Sequence, residues 1–155
     1  MVHIRNAADV RLERVTVAHS KGYAVWVQNT DGFEFDTGQV INAGVLGLYV
    51  GHTRSQPTTR LVIKDSVFRD NQTNALALLG VTATEGFRNR VTGNTFEHNH
   101  RRGQWKVAPR YGDTFTGGGQ VYLADAQGVD FHDNRIAHGY CNNCLLYTSP
   151  SPRDS

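Results

Sequence analysis

Short triplets in which two apolar residues flank a third residue recur along the chain, separated by stretches rich in Gly, Asn, Asp and Thr. This alternation is typical of brief β-strands, because successive side chains of a strand point to opposite faces. The apolar spacing of three and four residues that indicates an amphipathic helix is not sustained in the sequence. The sequence therefore predicts an all-β chain. The triplets that begin each repeat are Val2/Ile4, Val25/Val27, Leu48/Val50, Leu76/Leu78 and Val121/Leu123.

Two further strands follow each triplet in a fixed order. The second strands end at Leu12, Phe35, Ile63, Val91 and Phe131. Five residues beyond each of these positions lies the apolar residue of a third strand, at Val17, Val40, Phe68, Phe96 and Ile136. The repeat predicts a solenoid of about five to six coils with three short strands per coil, since stacked units bury a core that one unit alone cannot bury.

The distances between repeats support this interpretation. Consecutive second strands end 23, 28, 28 and 40 residues apart. Insertions of 5 residues at 55–59 and 81–85 separate a first strand from a second strand, and 17 extra residues separate one third strand from the next first strand. Stacked coils tolerate insertions that are confined to turns, because the strands must stay in register to share a core.

The bend three positions past each second strand carries small or polar residues, with Val15 as the exception. These residues are Gly38, Ser66, Asn94 and Asn134. Gly and Asn tolerate left-handed backbone angles, and an Asn side chain can also hydrogen-bond to its counterpart in the next coil. We therefore expect a ladder of polar side chains along this bend.

The segments Ile63-Lys-Asp-Ser-Val-Phe-Arg-Asp-Asn71 and Val91-Thr-Gly-Asn-Thr-Phe-Glu-His-Asn99 resemble the parallel β-helix repeats of the pectin-lyase-like superfamily. The resemblance covers about Val2 to Asn143 and implies a right-handed parallel β-helix. A leucine-rich repeat, which also has a period of roughly 20 to 29 residues, is the second choice. Its leucine-dominated consensus is absent from this sequence.

The end of the chain reads CLLYTSPSPRD from Cys144 onward, which resembles one translated reading frame of a sequencing adapter. The resemblance implies that natural sequence stops near Asn143 and that the Cys141-x-x-Cys144 spacing is accidental. We therefore expect a β-helix fragment over 1–143, incomplete at both ends, and a non-native tail over 144–155. The repeat itself places the start of the next first strand at position 144.

Composition excludes some classes of partner. The chain is 39% hydrophobic and 19% charged, and its formal net charge is +2 with no run of like charges. Nucleic acid is therefore not an expected partner. No apolar stretch approaches the roughly 20 residues that span a bilayer, and the first nine residues lack the layout of a signal peptide. The family resemblance nevertheless implies a secreted or cell-surface protein, and the oligomeric state stays open.

The middle residue of each first-strand triplet is predicted to point outward, because side chains alternate across a strand. These residues form the column His3, Trp26, Tyr49, Ala77 and Tyr122. Proteins of the resembled superfamily bind glycans along this face, and flat aromatic rings can stack on the C–H faces of sugars. We predict Trp26, Tyr49 and Tyr122 as sugar platforms. The alternative is that these aromatic rings only pack on one another or under loops.

A second column stands seven residues past each second strand and comprises His19, Asn42, Asp70, His98 and His138. Asp70 and His98 fall on consecutive coils, so the carboxylate is positioned to orient the imidazole of a general acid or base. We predict these two residues as the catalytic pair. The alternatives are a metal set, for which column spacing supplies no converging ligand geometry, and a polar stack in a turn that faces solvent.

The 17-residue insertion adds a basic segment. Residues 100–119 contain four Arg or Lys residues, one acidic residue and three aromatic residues, among them Trp105 and Tyr111. Arginine pairs well with carboxylates, so we predict that Arg101, Arg102 and Lys106 contact the acidic groups of a sugar. A solvated basic loop is the alternative. A lyase would need its substrate's carboxylate neutralised by Arg or by bound calcium, and no calcium cluster is evident, so no cofactor is assigned.

The segment Asn29-Thr-Asp-Gly32 is similar to a motif of polygalacturonases. Where that family has a paired Asp one coil later, this chain has His52 and Thr53. Inverting hydrolysis needs a second carboxylate, so polygalacturonase activity is not expected. The leading hypothesis is a polysaccharide lyase, epimerase or hydrolase that acts along the first-strand face. The rival is a non-catalytic surface, adhesion or glycan-binding solenoid.

Overall fold

The computed structural model describes residues 1–51, 57–101 and 119–139, together with the strand at 144–146. These residues form short strands joined by turns. In chain order the strands are β1 (Val2–Arg5), β2 (Ala8–Glu13), β3 (Thr16–Ala18), β4 (Val25–Gln28), β5 (Asp31–Asp36), β6 (Gln39–Ile41), β7 (Leu48–Gly51), β8 (Thr59–Lys64), β9 (Val67–Arg69), β10 (Leu76–Val81), β11 (Asn89–Thr92), β12 (Thr95–Glu97), β13 (Val121–Ala126), β14 (Val129–His132), β15 (Arg135–Ala137) and β16 (Cys144–Leu146).

The strands assemble into three parallel sheets, and each coil supplies one strand to each sheet. The first sheet has the order β1-β4-β7-β10-β13-β16, the second β2-β5-β8-β11-β14 and the third β3-β6-β9-β12-β15. Every ladder between these strands is parallel. This arrangement confirms the predicted all-β parallel β-helix with three strands per coil. In the described part of the chain, no helix is long and apolar enough to cross a membrane.

The register confirms the predicted apolar positions. Val25 pairs with Leu48 in the first sheet, and Phe35 pairs with Ile63 in the second. Phe68 pairs with Phe96 in the third sheet. All six side chains are fully buried in one continuous core. A side chain of this size contributes roughly 1.5–3 kcal/mol when it leaves water, so the shared core holds the coils together.

The predicted polar ladder runs along the bend between the second and third sheets. The backbone N–H of Gly38 donates to Ser66 Oγ at 3.0 Å, and that of Ser66 donates to Asn94 Oδ1 at 3.0 Å. Asn94 Nδ2 in turn donates to Asn134 Oδ1 at 3.0 Å and to the carbonyl of Ile63 at 2.9 Å. Side chains thus satisfy backbone groups that the bend removes from water, as buried polar groups require.

A second ladder, not predicted from the sequence, lies in the turn that enters the first sheet. The N–H of Ala43 donates to Asn71 Oδ1 at 2.9 Å, that of Asn71 to Asn99 Oδ1 at 3.1 Å, and that of Asn99 to Gln120 Oε1 at 3.2 Å. Asn71, Asn99 and Gln120 are fully buried. The sequence contained one sign of this ladder, because Asn recurs eight residues past the ends of two consecutive second strands.

The last described strand follows the register of the repeat. β16 begins at Cys144 and pairs with β13 through Val121, so a first-sheet strand starts at the position that the spacing predicts. The division of the chain at Asn143 into a natural part and an adapter-derived tail stays a prediction.

Candidate functional site

The predicted outward column exists on the first sheet. His3 pairs with Trp26, Trp26 with Tyr49, Tyr49 with Ala77, and Ala77 with Tyr122. Because the strands are adjacent and in register, these side chains follow one another along the axis of the solenoid. Four steps of about 4.8 Å give a row roughly 19 Å long.

The row begins with two stacked rings. The imidazole of His3 lies 4.4 Å from the indole of Trp26, with 7° between their planes. Trp26 Nε1 donates to the carbonyl oxygen of Gly51 at 3.2 Å, and His3 Nε2 lies 2.7 Å from Gln28 Oε1. These contacts fix the indole in one orientation. His3 is exposed and Trp26 is half-buried, so this end of the row meets solvent.

The centre of the row is packed under other side chains. Tyr23, which is not among the residues predicted for this face, stacks on Tyr49 at 5.2 Å and meets the edge of Trp26 at 5.6 Å. Tyr23, Tyr49, Leu46 and Ala77 form a buried cluster outside the main core. The sequence did contain a sign of this cluster, because Tyr23 and Leu46 occupy the same position of the repeat, two residues before consecutive first strands.

The three predicted platforms therefore differ in exposure. Trp26 and Tyr122 are half-buried and pack against the edge of the outer cluster. Tyr49 is fully buried, and its ring supports Trp26 through an edge-to-face contact at 6.0 Å. A sugar would contact the ring of Tyr49 only if the side chains over it moved. The platform roles stay predictions, with Trp26 and Tyr122 as the accessible members.

The second column shares a backbone feature that explains its composition. All five residues have a positive φ between 53° and 59°. Asn, Asp and His are enriched at such left-handed positions among residues other than Gly. The residues are His19, Asn42, Asp70, His98 and His138. Backbone geometry alone therefore accounts for the polar character of this turn.

The predicted catalytic pair makes other contacts. Asp70 accepts a hydrogen bond from Arg69 Nη1 at 2.9 Å and another from Arg101 Nη1 at 3.3 Å. The imidazole of His98 stacks on that of His138, with ring centroids 5.1 Å apart. Among the contacts of the described residues, no hydrogen bond joins Asp70 to His98. The acid–base role of the pair stays a prediction.

The basic segment is described only at its start. Arg101 follows the fully buried His100 and is held by its ion pair with Asp70. The backbone N–H of His100 donates to the carbonyl of Thr73 at 2.8 Å, which anchors the segment to the neighbouring coil. Arg102 and Lys106 lie outside the described residues, so their predicted contacts stay predictions.

The polygalacturonase-like motif is part of a structural turn. Asp31 Oδ1 accepts hydrogen bonds from Arg60 Nε and Thr59 Oγ1, both at 2.7 Å. The hydrogen bond from the Arg60 guanidinium holds the pKa of Asp31 below its ordinary value. A carboxylate kept ionised in this way is a poor proton donor. Asn29 Nδ2 donates to Asn6 Oδ1 at 2.8 Å, which links two coils; His52 and Thr53 lie outside the described residues.

Metal ligands do not converge in the described part of the chain. No group of three or more His, Cys, Asp or Glu side chains there is arranged to hold a metal ion. The histidines of the second column do not form such a group, because they are spread along the axis of the solenoid rather than gathered around one point.

A protein-family model described as a right handed beta helix region matches residues 1–153 of the chain. No curated protein and no solved structure gives a significant match. The family match shows the fold, and a fold by itself does not specify a ligand.

Proposed function

Because the chain belongs to the right-handed β-helix family, we propose that its stiff solenoid binds a polysaccharide along the outer face of the first sheet. The observation that carries the proposal is the aromatic row that starts with the His3–Trp26 stack. An extended glycan presents alternating C–H faces along its length, and aromatic rings in one line offer matching apolar area. The cost of ordering Trp26 is reduced because its indole N–H is already bonded to Gly51.

Acidic groups on the glycan would be recognised at the turn that leads into this face. Arg101 lies there beside Asp70, and the sequence adds Arg102 directly after it and Lys106 four positions further on. Guanidinium groups pair well with carboxylates such as those of uronic acids. An acidic polysaccharide is therefore the preferred ligand within this proposal.

Binding without turnover is the form of the proposal that the contacts favour. Catalysis by a lyase, epimerase or hydrolase would assign His98 as acid or base with Asp70 orienting it. In the structure Asp70 is engaged by two arginines and His98 by His138. These partners suit a rigid turn better than a proton-transfer pair. The enzymatic alternative remains the second candidate.

The test is a Trp26→Ala substitution assayed by calorimetry against polygalacturonate, alginate and a neutral β-glucan. Loss of the platform should weaken binding of the acidic polymer by about twofold to tenfold, if stacking of a sugar on the ring is worth about as much as the roughly 0.5–1.5 kcal/mol of an aromatic pair. The matched control is Thr95→Ala, a half-buried outward residue on β12 of the third sheet, which should bind as the unsubstituted chain does. Absence of binding to every polymer, or equal binding by both variants, contradicts the proposal.

The variant His98→Asn, tested with the same polymers, distinguishes an enzyme from a protein that only binds. Asn tolerates the left-handed backbone at this position, where φ is 57°. If the chain only binds, this variant binds normally and neither protein releases reducing ends or unsaturated products. Turnover by the unsubstituted chain that is lost in His98→Asn would establish the enzyme instead.

A further inference from the structure

A cavity of about 250 Å³ opens on the outer face of the second sheet, away from the aromatic row. Its walls come from β2, β5 and β8 and from Phe87, which lies just before β11. We propose that this cavity is a separate carbohydrate site that accepts one neutral pyranose ring. The proposal does not rest on polysaccharide binding at the first sheet.

An apolar floor interrupts an otherwise charged row. Along the outer face of the second sheet Arg11 pairs with Glu34, Glu34 with Val62, and Val62 with Arg90. Val62 is half-buried, and the half-buried ring of Phe87 lies in the same wall. The guanidinium carbon of Arg90 sits 5.6 Å from the centre of that ring and holds it in place. An apolar patch of this size suits the C–H face of a single sugar ring.

The charges that line the cavity balance and are already paired. Arg60 Nη2 lies 2.7 Å from Asp9 Oδ1. Arg11 Nη2 lies 2.8 Å from Asp36 Oδ2, and Arg11 Nε lies 3.7 Å from Glu34 Oε2. A charged ligand would have to displace one of these partners. Hydroxyl groups avoid that cost, because a carboxylate in an ion pair keeps free lone pairs and a guanidinium has five N–H donors to share.

Size and rigidity select one ring rather than a chain. The volume of about 250 Å³ is below the roughly 300–1,000 Å³ of pockets for drug-sized ligands, so it suits one sugar ring better than a larger ligand. Gly32 belongs to the wall, and a Cβ there would come within 2.8 Å of both Asp9 Oδ1 and Arg60 Nη2. Glycine at this position thus permits the ion pair that forms one side of the cavity.

The experiment is saturation-transfer NMR with methyl glucoside, methyl galactoside, methyl mannoside and methyl glucuronide as probes. We expect at least one neutral glycoside to receive saturation from the unsubstituted chain and to bind about tenfold more weakly to Val62→Lys, whose side chain fills the cavity. The matched control is Val67→Lys, because Val67 is also a half-buried outward Val but lies on β9 of the third sheet. This control should bind the neutral glycoside normally.

Two further variants complete the test. Trp26→Ala should keep the part of the neutral glycoside signal that Val62→Lys removes, which separates this site from the aromatic row. Phe87→Ala replaces Val62→Lys as the deciding variant if circular dichroism shows that the latter fails to fold, and it should also lose the signal. No transfer to any neutral glycoside, equal transfer in both Val→Lys variants, or a stronger signal from the glucuronide overturns the proposal.

Discussion

Buried amide side chains supply the hydrogen bonds that water would supply to the polar groups of an exposed turn. Asn99 is fully buried, and its Nδ2 donates to the carbonyl of Phe68 at 2.9 Å and to Gln120 Oε1 at 2.8 Å. Its Oδ1 accepts from the backbone N–H of Asn71 at 3.1 Å. One side chain thus satisfies polar groups in the coils on both sides of its own. An unsatisfied buried polar group costs about 1–3 kcal/mol, so such a residue has a large effect on stability.

For this single residue we predict that Asn99→Ala lowers the free energy of unfolding by at least about 2 kcal/mol, because several buried groups lose their partners together. Urea unfolding measures the change. The control is Gln39→Ala, which removes an exposed amide side chain from β6 and should change the free energy by less than about 0.5 kcal/mol. Similar losses in the two variants would mean that the ladder contributes no more than an exposed amide.

The second sheet is stabilised on its outer face by ion pairs between neighbouring strands. Asp36 of β5 receives a hydrogen bond from Arg11 of β2 at 2.8 Å, and Lys64 of β8 lies 3.5 Å from the same carboxylate oxygen. The side chain of Asp36 is 9% exposed. The hydrogen bond from Arg11 is the main cause that holds the pKa of Asp36 below its ordinary value. The pairs therefore act as a pH-sensitive clamp across three coils.

The lowered pKa predicts the direction of the pH dependence. Folding stabilises the ionised form of Asp36, so its contribution is fully present above the unfolded pKa of about 3.9 and is lost as the pH falls through the lower folded value. We expect Asp36→Asn to lower the melting temperature at neutral pH and to flatten its fall below about pH 4. Thermal unfolding between neutral and strongly acidic pH measures both effects. Asp133→Asn, at an exposed carboxylate, should follow the unsubstituted chain; a parallel curve for Asp36→Asn would contradict the clamp.

The whole molecule is a one-dimensional stack in which each coil contacts its neighbours. Aromatic rings run through the core, with Phe68 5.8 Å from Phe35 and 5.0 Å from Phe96. The stability of such a stack is the sum of coil terms and of the interfaces between neighbouring coils. A void left by a substitution in the middle of the core therefore weakens the interfaces with both neighbouring coils. It should also loosen the outer faces, because both proposed ligand sites are built across several coils.

For the whole molecule we predict that Phe68→Ala lowers the free energy of unfolding by about 3–5 kcal/mol, the usual cost of removing a buried ring. Hydrogen exchange should show lost protection in the coils on both sides. The control is the adjacent Val67→Ala on the same strand, whose side chain points outward and whose loss should cost under about 1 kcal/mol. Equal losses of unfolding free energy in the two variants would contradict the assignment of Phe68 to the core and of Val67 to the outer face of β9.

The sequence alone determined the strands, their order and their register. Alternation with a period of two is local, and the shared core forces each apolar position to stack on its counterpart, as Phe35 on Ile63 does. The bend ladder at Asn94 and Asn134 was predictable for the same reason, because backbone groups in a repeated turn need the same partner in every coil.

The tertiary structure alone decided the contacts of the outward side chains. It buried Tyr49 beneath Tyr23, paired Asp70 with Arg101 rather than with His98, and formed a cavity beside Val62. Column position shows which backbones are adjacent, but an outward side chain can turn toward several neighbours. Its choice depends on rotamers and on residues far away in the sequence, which a period along one chain does not encode.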